Sequence, residues 1–108
     1  MNQSSPVSDG GRGLQFEVSG DILSTTAEGI REQLARKLDE AGGASVAVFE
    51  LGLKSTRMVD SVGLNLMVWL IKQVGSRGGK LRIHVSDPNV LRTIQFTRLD
   101  RHAEVIHP

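Results

Sequence analysis

Apolar and polar residues in the first half of the chain predict a strand followed by an amphipathic helix. Every second residue from Leu14 to Val18 is apolar, which is typical of a half-buried strand. Thr25 and Glu28 have the spacing of a capping box, and apolar residues follow four positions apart, at positions 30, 34 and 38. A helix is therefore predicted to run to about Ala41, where two glycines end it.

The second half of the chain repeats this order of strand and helix. Residues 46–51 form a near-continuous apolar run, which predicts a strand covered on both faces. A helix is predicted over residues 61–74, and alternating apolar residues at positions 81–85 predict another strand. Asp87 and Pro88 are typical of a helix start, so a short helix should reach about Phe96, with a last strand at residues 103–106. This alternation favours an α/β layered domain with a mostly parallel sheet.

Composition and charge narrow the class of protein. The 108 residues fit one domain, and we predict a flexible N-terminal tail at residues 1–13 and a folded domain at residues 14–108. Thirteen basic residues against twelve acidic ones argue against a nucleic-acid-binding surface, and the absence of cysteine excludes thiolate chemistry. The longest apolar run has six residues, too short for membrane insertion, and the polar N-terminus does not have the form of a secretory signal. We therefore expect a cytoplasmic protein.

The candidate chemistry lies at the start of the second predicted helix. Asp60 and Ser61 stand directly before an apolar helical run, with Gly63 close behind. The N-terminus of a helix presents free N–H groups and a positive dipole, so this serine is either a plain cap or an acceptor of phosphate. Asp60 has two interpretations as well. It favours the helix dipole, or it positions Ser61 or a kinase's cation.

A helical wheel separates two faces of this second helix. At about 100° per residue, Asn65, Val68 and Lys72 lie within about 40° of Ser61. The opposite stripe is predicted to face the core, and it consists of Gly63, Leu66, Met67, Leu70 and Val74. Trp69 flanks the Ser61 face, and with Val68 it predicts a docking surface. The alternative is that Trp69 packs onto a neighbouring loop.

The chain carries no pattern typical of catalysis or metal binding. Its three histidines, His84, His102 and His107, lack metal-ligand spacing. Ser61 has neither a nucleophile elbow nor a recognisable triad. Residues 75–80 are rich in glycine but miss the spacing of a phosphate loop and follow a helix instead of a strand. We expect a protein that is not an enzyme and that uses no cofactor and no metal.

Several blocks of sequence together resemble STAS domains and, more narrowly, the bacterial anti-sigma-factor antagonists. The most specific block is Asp60-Ser61-Val62-Gly63-Leu64, and the similarity extends in order over about residues 14–106. It includes Gly20-Asp21, Phe49-Glu50-Leu51, Arg77-Gly78-Gly79-Lys80-Leu81, Val90-Leu91-Arg92 and Thr97-Arg98-Leu99-Asp100. The resemblance implies a mixed, mostly parallel β-sheet with helices packed mainly on one face. It also implies that Ser61, which directly follows the aspartate, is the phosphorylated residue.

The function implied by this resemblance is a serine phospho-switch. The unmodified protein would bind an anti-sigma factor, a serine kinase of the histidine-kinase-like ATPase fold, and so free the sigma factor. Phosphate on Ser61 would end binding, and a phosphatase would restore it. The partner-binding residues would be Asp21, Asp60, Ser61, Val62, Asn65, Val68, Trp69 and Lys72.

Three departures from the family pattern bear on the partner more than on the fold. Val62 stands where the family has a second serine, Leu23 where an acidic residue is common, and Arg98 where the family has glycine. The alternative function is a STAS scaffold subunit, without phosphorylation, in a stress-sensing or lipid-transport complex.

Overall fold

Strands and helices alternate along the chain in the predicted order. The computed structural model describes residues 11–43 and 45–108. Its elements are β1 (Gly11–Glu17), α1 (Ala27–Asp39), β2 (Ser45–Leu53), α2 (Ser61–Ser76), β3 (Lys80–Val85), α3 (Pro88–Phe96), a 3₁₀ turn (Leu99–Arg101) and β4 (Glu104–Ile106). The first strand begins three residues earlier than predicted, and the rest of the predicted tail lies outside the described residues.

The four described strands form one parallel sheet in the order β1-β2-β3-β4. Each helix connects two neighbouring strands, so the chain is a run of strand–helix–strand units. The predicted α/β class is confirmed. The described strands pair only in parallel, so the antiparallel member of the expected mixed sheet is not among them.

The core lies between the helices and one face of the sheet. Alternate residues of the two central strands point into it, namely Phe49, Leu51 and Leu53 of β2 and Leu81, Ile83 and Val85 of β3. The helices bury their apolar stripes against these residues, with Leu34 and Leu38 from α1, Leu70 and Val74 from α2, and Val90 and Ile94 from α3. This stripe-on-sheet burial is the main stabilising contribution to the fold.

The opposite face of the sheet carries charge, which corrects the expectation that the second strand is covered on both sides. Glu50 accepts hydrogen bonds from Arg82 Nη1, at 3.1 Å, and from His84 Nε2. Arg82 Nε also lies 3.2 Å from a Glu104 carboxylate oxygen, an ion pair without hydrogen-bond geometry. The His84 hydrogen bond lowers the pKa of Glu50, against the opposing effect of burial. Ion pairs as exposed as these contribute only about 0–1 kcal/mol each to stability.

The helix starts differ in how their backbone N–H groups are satisfied. At α3, Asp87 caps the helix as predicted, accepting from Asn89 N at 2.8 Å. The predicted capping box of α1 is wrong, since its N-cap is Thr26 and makes no side-chain cap bond. The Thr26 hydroxyl is used in the preceding loop instead, where it donates to the Asp21 carbonyl at 2.9 Å and accepts from Leu23 N at 2.9 Å.

Arg98 adopts a left-handed backbone conformation, with φ of 64°. It lies between α3 and the 3₁₀ turn. A side chain in this conformation costs about 1–2 kcal/mol, whereas glycine adopts it freely. The chain therefore carries local strain at this turn.

Replacing Arg98 by glycine should stabilise the domain. The relief of strain exceeds the added entropy of the unfolded chain, so Arg98→Gly should raise the free energy of unfolding by about 0.5–1 kcal/mol. Arg92→Gly is the matched control, because Arg92 is an exposed residue inside α3 and its replacement should cost about 1 kcal/mol. Denaturant unfolding of the two variants measures both values, and equal destabilisation would contradict this account of the turn.

Candidate functional site

The sequence left open whether Ser61 caps α2 or offers its hydroxyl for phosphorylation, and the first residues of α2 bear on this choice. Asp60, not Ser61, is the N-cap, with an extended backbone and a carboxylate oxygen that accepts from Gly63 N at 2.9 Å. Ser61 is the first residue of the helix, and its side chain is exposed. Within the described part of the chain, the Ser61 hydroxyl makes no hydrogen bond. The plain capping interpretation of Ser61 is therefore wrong, and its exposed hydroxyl has no hydrogen-bond partner among the described residues.

Both oxygens of the Asp60 carboxylate are used within the domain. Oδ1 accepts from Gly63 N, and Oδ2 accepts from Ser24 N at 2.8 Å. These two backbone hydrogen bonds, that of Gly63 first, lower the pKa of Asp60. The carboxylate thus fixes the start of α2 to the loop before α1.

The loops that follow β1 and β2 are tied together by their backbones. Ile22 N donates to the Met58 carbonyl at 3.1 Å, and Asp60 N donates to the Ile22 carbonyl at 3.2 Å. These bonds form an isolated parallel bridge between Ile22 and Val59. We call this junction of residues 18–26 with residues 54–60 the two-loop clamp.

Side chains reinforce the two-loop clamp from both sides. Asp21 Oδ1 accepts from Arg57 N at 2.8 Å and from Met58 N at 3.1 Å. Thr56 is fully buried and donates to the Gly20 carbonyl at 2.6 Å. Ser55 donates to the Val18 carbonyl at 3.0 Å. Asp21 therefore positions the loop that leads to the site, and its predicted contact with a partner stays a prediction.

Gly63 allows α2 to approach the two-loop clamp closely. A Cβ atom at this position would lie 2.3 Å from the Ile22 carbonyl oxygen and 2.9 Å from Val59 Cγ1. The carbonyl oxygen belongs to the backbone bridge and accepts from Asp60 N, so it has little freedom to move. The Asp-Ser-x-Gly spacing is thus explained: the glycine allows the contact that the aspartate holds.

The wheel of α2 predicts its core stripe correctly and its outer face in part. Gly63, Leu66, Met67, Leu70 and Val74 are all buried. Ser61, Asn65 and Lys72 are exposed. Val68, expected to point outward, is half-buried against the core, and so is Trp69. Helix α1 packs beside α2, which widens the covered stripe beyond a single line of residues.

The apolar side chains that do face outward near Ser61 are Val62 and Met58. Val62 is 42% exposed and Met58 is 57% exposed, and they stand one residue after and three residues before Ser61. Met58 could not be identified from the sequence pattern, because it lies in a loop where no periodicity marks a face. Exposed apolar residues on both sides of a free hydroxyl are suited to contact with another protein.

A groove between α1 and α2 extends from this surface. It has a volume of about 270 Å³ and is lined by Ser24, Ala27, Glu28, Arg31, Val62, Asn65, Leu66 and Trp69. At one end the Arg31 guanidinium carbon lies 5.1 Å from the centre of the Trp69 ring. Arg31 was not among the predicted site residues, since nothing in the pattern indicates which helices become neighbours.

Neither a metal site nor a membrane-spanning helix is found among the described residues. They contain no group of three or more histidine, cysteine or acidic side chains that could hold a metal ion. Their helices also lack the combination of length and apolar character that a membrane span requires.

Comparisons with known proteins give one family model and several solved structures of similar fold. A family model described as STAS domain matches residues 4–107. A search of curated protein sequences finds no match. Solved structures share the fold at low sequence identity. One is from Thermotoga maritima and is described as a candidate anti-sigma factor antagonist, with a TM-score of 0.75, 18% identity, and coverage of 89% of this chain and 79% of the other.

Two further solved structures have the same fold. An anti-sigma factor antagonist from Mycobacterium paratuberculosis has a TM-score of 0.74 and 20% identity, over 87% of this chain and 76% of the other. The anti-sigma factor antagonist SpoIIAA, in its unphosphorylated form, has a TM-score of 0.60 and 15% identity, over 83% of this chain and 88% of the other. At these identities the likeness establishes the fold.

Gly63→Ala should destabilise the domain by about 2 kcal/mol or more, because the added methyl group clashes with backbone that cannot yield. Gly75→Ala is the control. Gly75 lies in the same helix and has open space where a methyl group would be added, so alanine there should stabilise the domain by about 0.5–1 kcal/mol. Thermal or denaturant unfolding measures the stability of both variants, and an unchanged stability of Gly63→Ala would contradict the close contact.

Acid should weaken the domain partly through Asp60. Its folded-state pKa is lowered, so the stabilisation is fully present above the unfolded value of about 3.9 and is lost as the pH falls through the folded value. Asp60→Asn keeps an acceptor oxygen for Gly63 N, loses the acceptor for Ser24 N and removes the titration, so the two proteins are compared in the slope of their pH dependence. As the pH falls from about 5 to about 3, the melting temperature of the wild type should decrease more steeply than that of Asp60→Asn. Parallel curves would contradict the assignment.

Proposed function

The chain belongs to the STAS domain family, and from this premise we propose that it is an anti-sigma-factor antagonist that works as a serine phospho-switch. The observation that carries the proposal is the exposed hydroxyl of Ser61 at the first position of α2, which has no hydrogen-bond partner among the described residues. Asp60 supplies the cap in its place, so Ser61 can be modified without loss of a hydrogen bond within the described fold.

In its unmodified form the protein binds an anti-sigma factor that is also a serine kinase of the histidine-kinase-like ATPase fold. The contact surface is centred on Ser61 and uses the exposed apolar side chains of Met58 and Val62. It further includes Asp21, Asp60, Asn65, Val68, Trp69 and Lys72. Apolar side chains around a polar centre give the partner area to bury, while the hydroxyl stays within reach of a kinase active site.

Phosphorylation of Ser61 ends binding through charge. A phosphate adds about −1.5 to −2 charges at neutral pH, directly beside the Asp60 carboxylate. Burying that charge under an apolar partner surface is costly, so the complex dissociates. The domain itself tolerates the phosphate, because the N-terminus of α2 favours negative charge and position 61 faces solvent. A phosphatase then returns the protein to its binding form.

Ser61→Ala should abolish phosphate transfer from ATP by the cognate anti-sigma factor kinase and leave binding as tight as in the wild type. The cap remains on Asp60, so we expect stability to change by less than about 0.5 kcal/mol. Ser61→Asp should weaken binding by about tenfold, less than a phosphate does, because one carboxylate carries less charge. Radiolabelled phosphate transfer and titration calorimetry measure the two effects.

Ser76→Ala is the matched control, since Ser76 is an exposed serine at the last position of the same helix, far from Ser61. Its labelling should equal that of the wild type. Label that persists in Ser61→Ala would disprove the assignment of the acceptor. A protein that binds the kinase but is never labelled would fit the scaffold-subunit alternative.

A further inference from the structure

The groove between α1 and α2 has a defined contact at each end. At one end Ser24 N donates to Asp60, and at the other the Arg31 guanidinium lies over the Trp69 ring. The floor is formed by the buried residues Ala27 and Leu66. The groove therefore begins beside Ser61, at Val62, and ends at the pair of Arg31 and Trp69.

The Arg31 side chain lies over the Trp69 ring, and its charge is not paired with an acidic group among the described residues. This side chain is exposed. A guanidinium held over an indole ring keeps its N–H donors at the edge of the plane, where they can pair with a carboxylate. The contact with Trp69 thus prepares Arg31 to receive an acidic group.

The end of the groove formed by Arg31 and Trp69 is set back from Ser61. Trp69 follows Ser61 by eight residues, which is about 12 Å along a helix axis. A partner must therefore cover the whole groove to contact both Ser61 and Arg31.

We propose that the groove receives an apolar side chain of the anti-sigma factor and that Arg31 pairs with a carboxylate on the same segment of that partner. This inference rests on the proposed function. A groove of about 270 Å³ accommodates one or two side chains rather than a whole helix. Glu28 lines its middle, which repels an acidic group there and places the partner's carboxylate at the Trp69 end. The Arg31–Trp69 pair is then a determinant of partner specificity.

Charge-reversed variants test this proposal through their binding of the cognate anti-sigma factor, measured by titration calorimetry. Arg31→Glu should weaken binding at least about tenfold at low salt, with a smaller loss at about 0.5 M salt, because the lost attraction is electrostatic. Arg31→Ala should weaken binding less than Arg31→Glu does, because it removes the positive charge without adding a negative one. Arg36→Glu makes the same change of charge at another exposed position of α1 and should cost less than about threefold.

Trp69→Phe tests the ring that positions Arg31. It keeps an aromatic side chain in the packing but weakens the cation–π contact, so binding should fall while the melting temperature changes little. If Arg31→Glu and Arg36→Glu weaken binding equally, or if Trp69→Phe and Arg31→Glu leave it unchanged, the groove is not the docking site. Sedimentation that shows a wild-type dimer broken by Arg31→Glu would instead assign the groove to a second copy of this chain.

These outcomes separate the groove from the switch. Should Ser61→Asp weaken binding while the Arg31 and Trp69 variants bind normally, the inference about the groove fails and the proposed function stands. Should the wild-type protein bind no anti-sigma factor of the ATPase fold, both fail.

Discussion

The Asp60 carboxylate joins three parts of the chain at one point. One oxygen accepts from Gly63 N and so starts α2, and the other accepts from Ser24 N on the loop that leads into α1. The backbone of the same residue donates to Ile22 in the bridge between the loops. The position of α2 relative to the two-loop clamp, the exposure of the residue after Asp60 and the course of the groove between the two helices all follow from these bonds.

In this arrangement one residue, Asp60, holds the start of the helix, and the next residue, Ser61, is the proposed site of modification. Because an aspartate supplies the cap, the adjacent hydroxyl is left without a hydrogen bond in the described fold, and a group added to it disturbs no contact there. The two-loop clamp holds the start of α2 in place, through buried Thr56 and through the close approach of Gly63 to Ile22. A modifiable residue on a fixed platform can change the charge of a surface without changing the fold, which is what a switch by repulsion needs.

Sequence patterns are sufficient wherever burial alone decides the structure. Alternation identifies the strands, and the wheel of α2 identifies its core stripe from Gly63 to Val74, since apolar periodicity is set by the layer that each element faces. Sequence patterns do not predict which hydrogen-bond partner a polar side chain has when several are within reach. Asp60 bonds with Ser24 across 36 positions, and Thr26 bonds with its own loop instead of capping α1. The pairing of Arg31 with Trp69 depends on which helices are neighbours, and no local pattern contains that information.

The central claim is that Ser61 carries a regulatory phosphate in the cell, and mass spectrometry of the protein recovered from its native cells tests it most directly. Trypsin cleaves after Arg57 and Lys72, and the peptide of residues 58–72 contains Ser61 as its only hydroxyl-bearing side chain. A phosphate on this peptide is therefore assigned without ambiguity. The account predicts that this peptide is found in both phosphorylated and unmodified forms, in proportions that change with growth conditions. A peptide that is unmodified under every condition, or phosphate found only elsewhere in the chain, would contradict it.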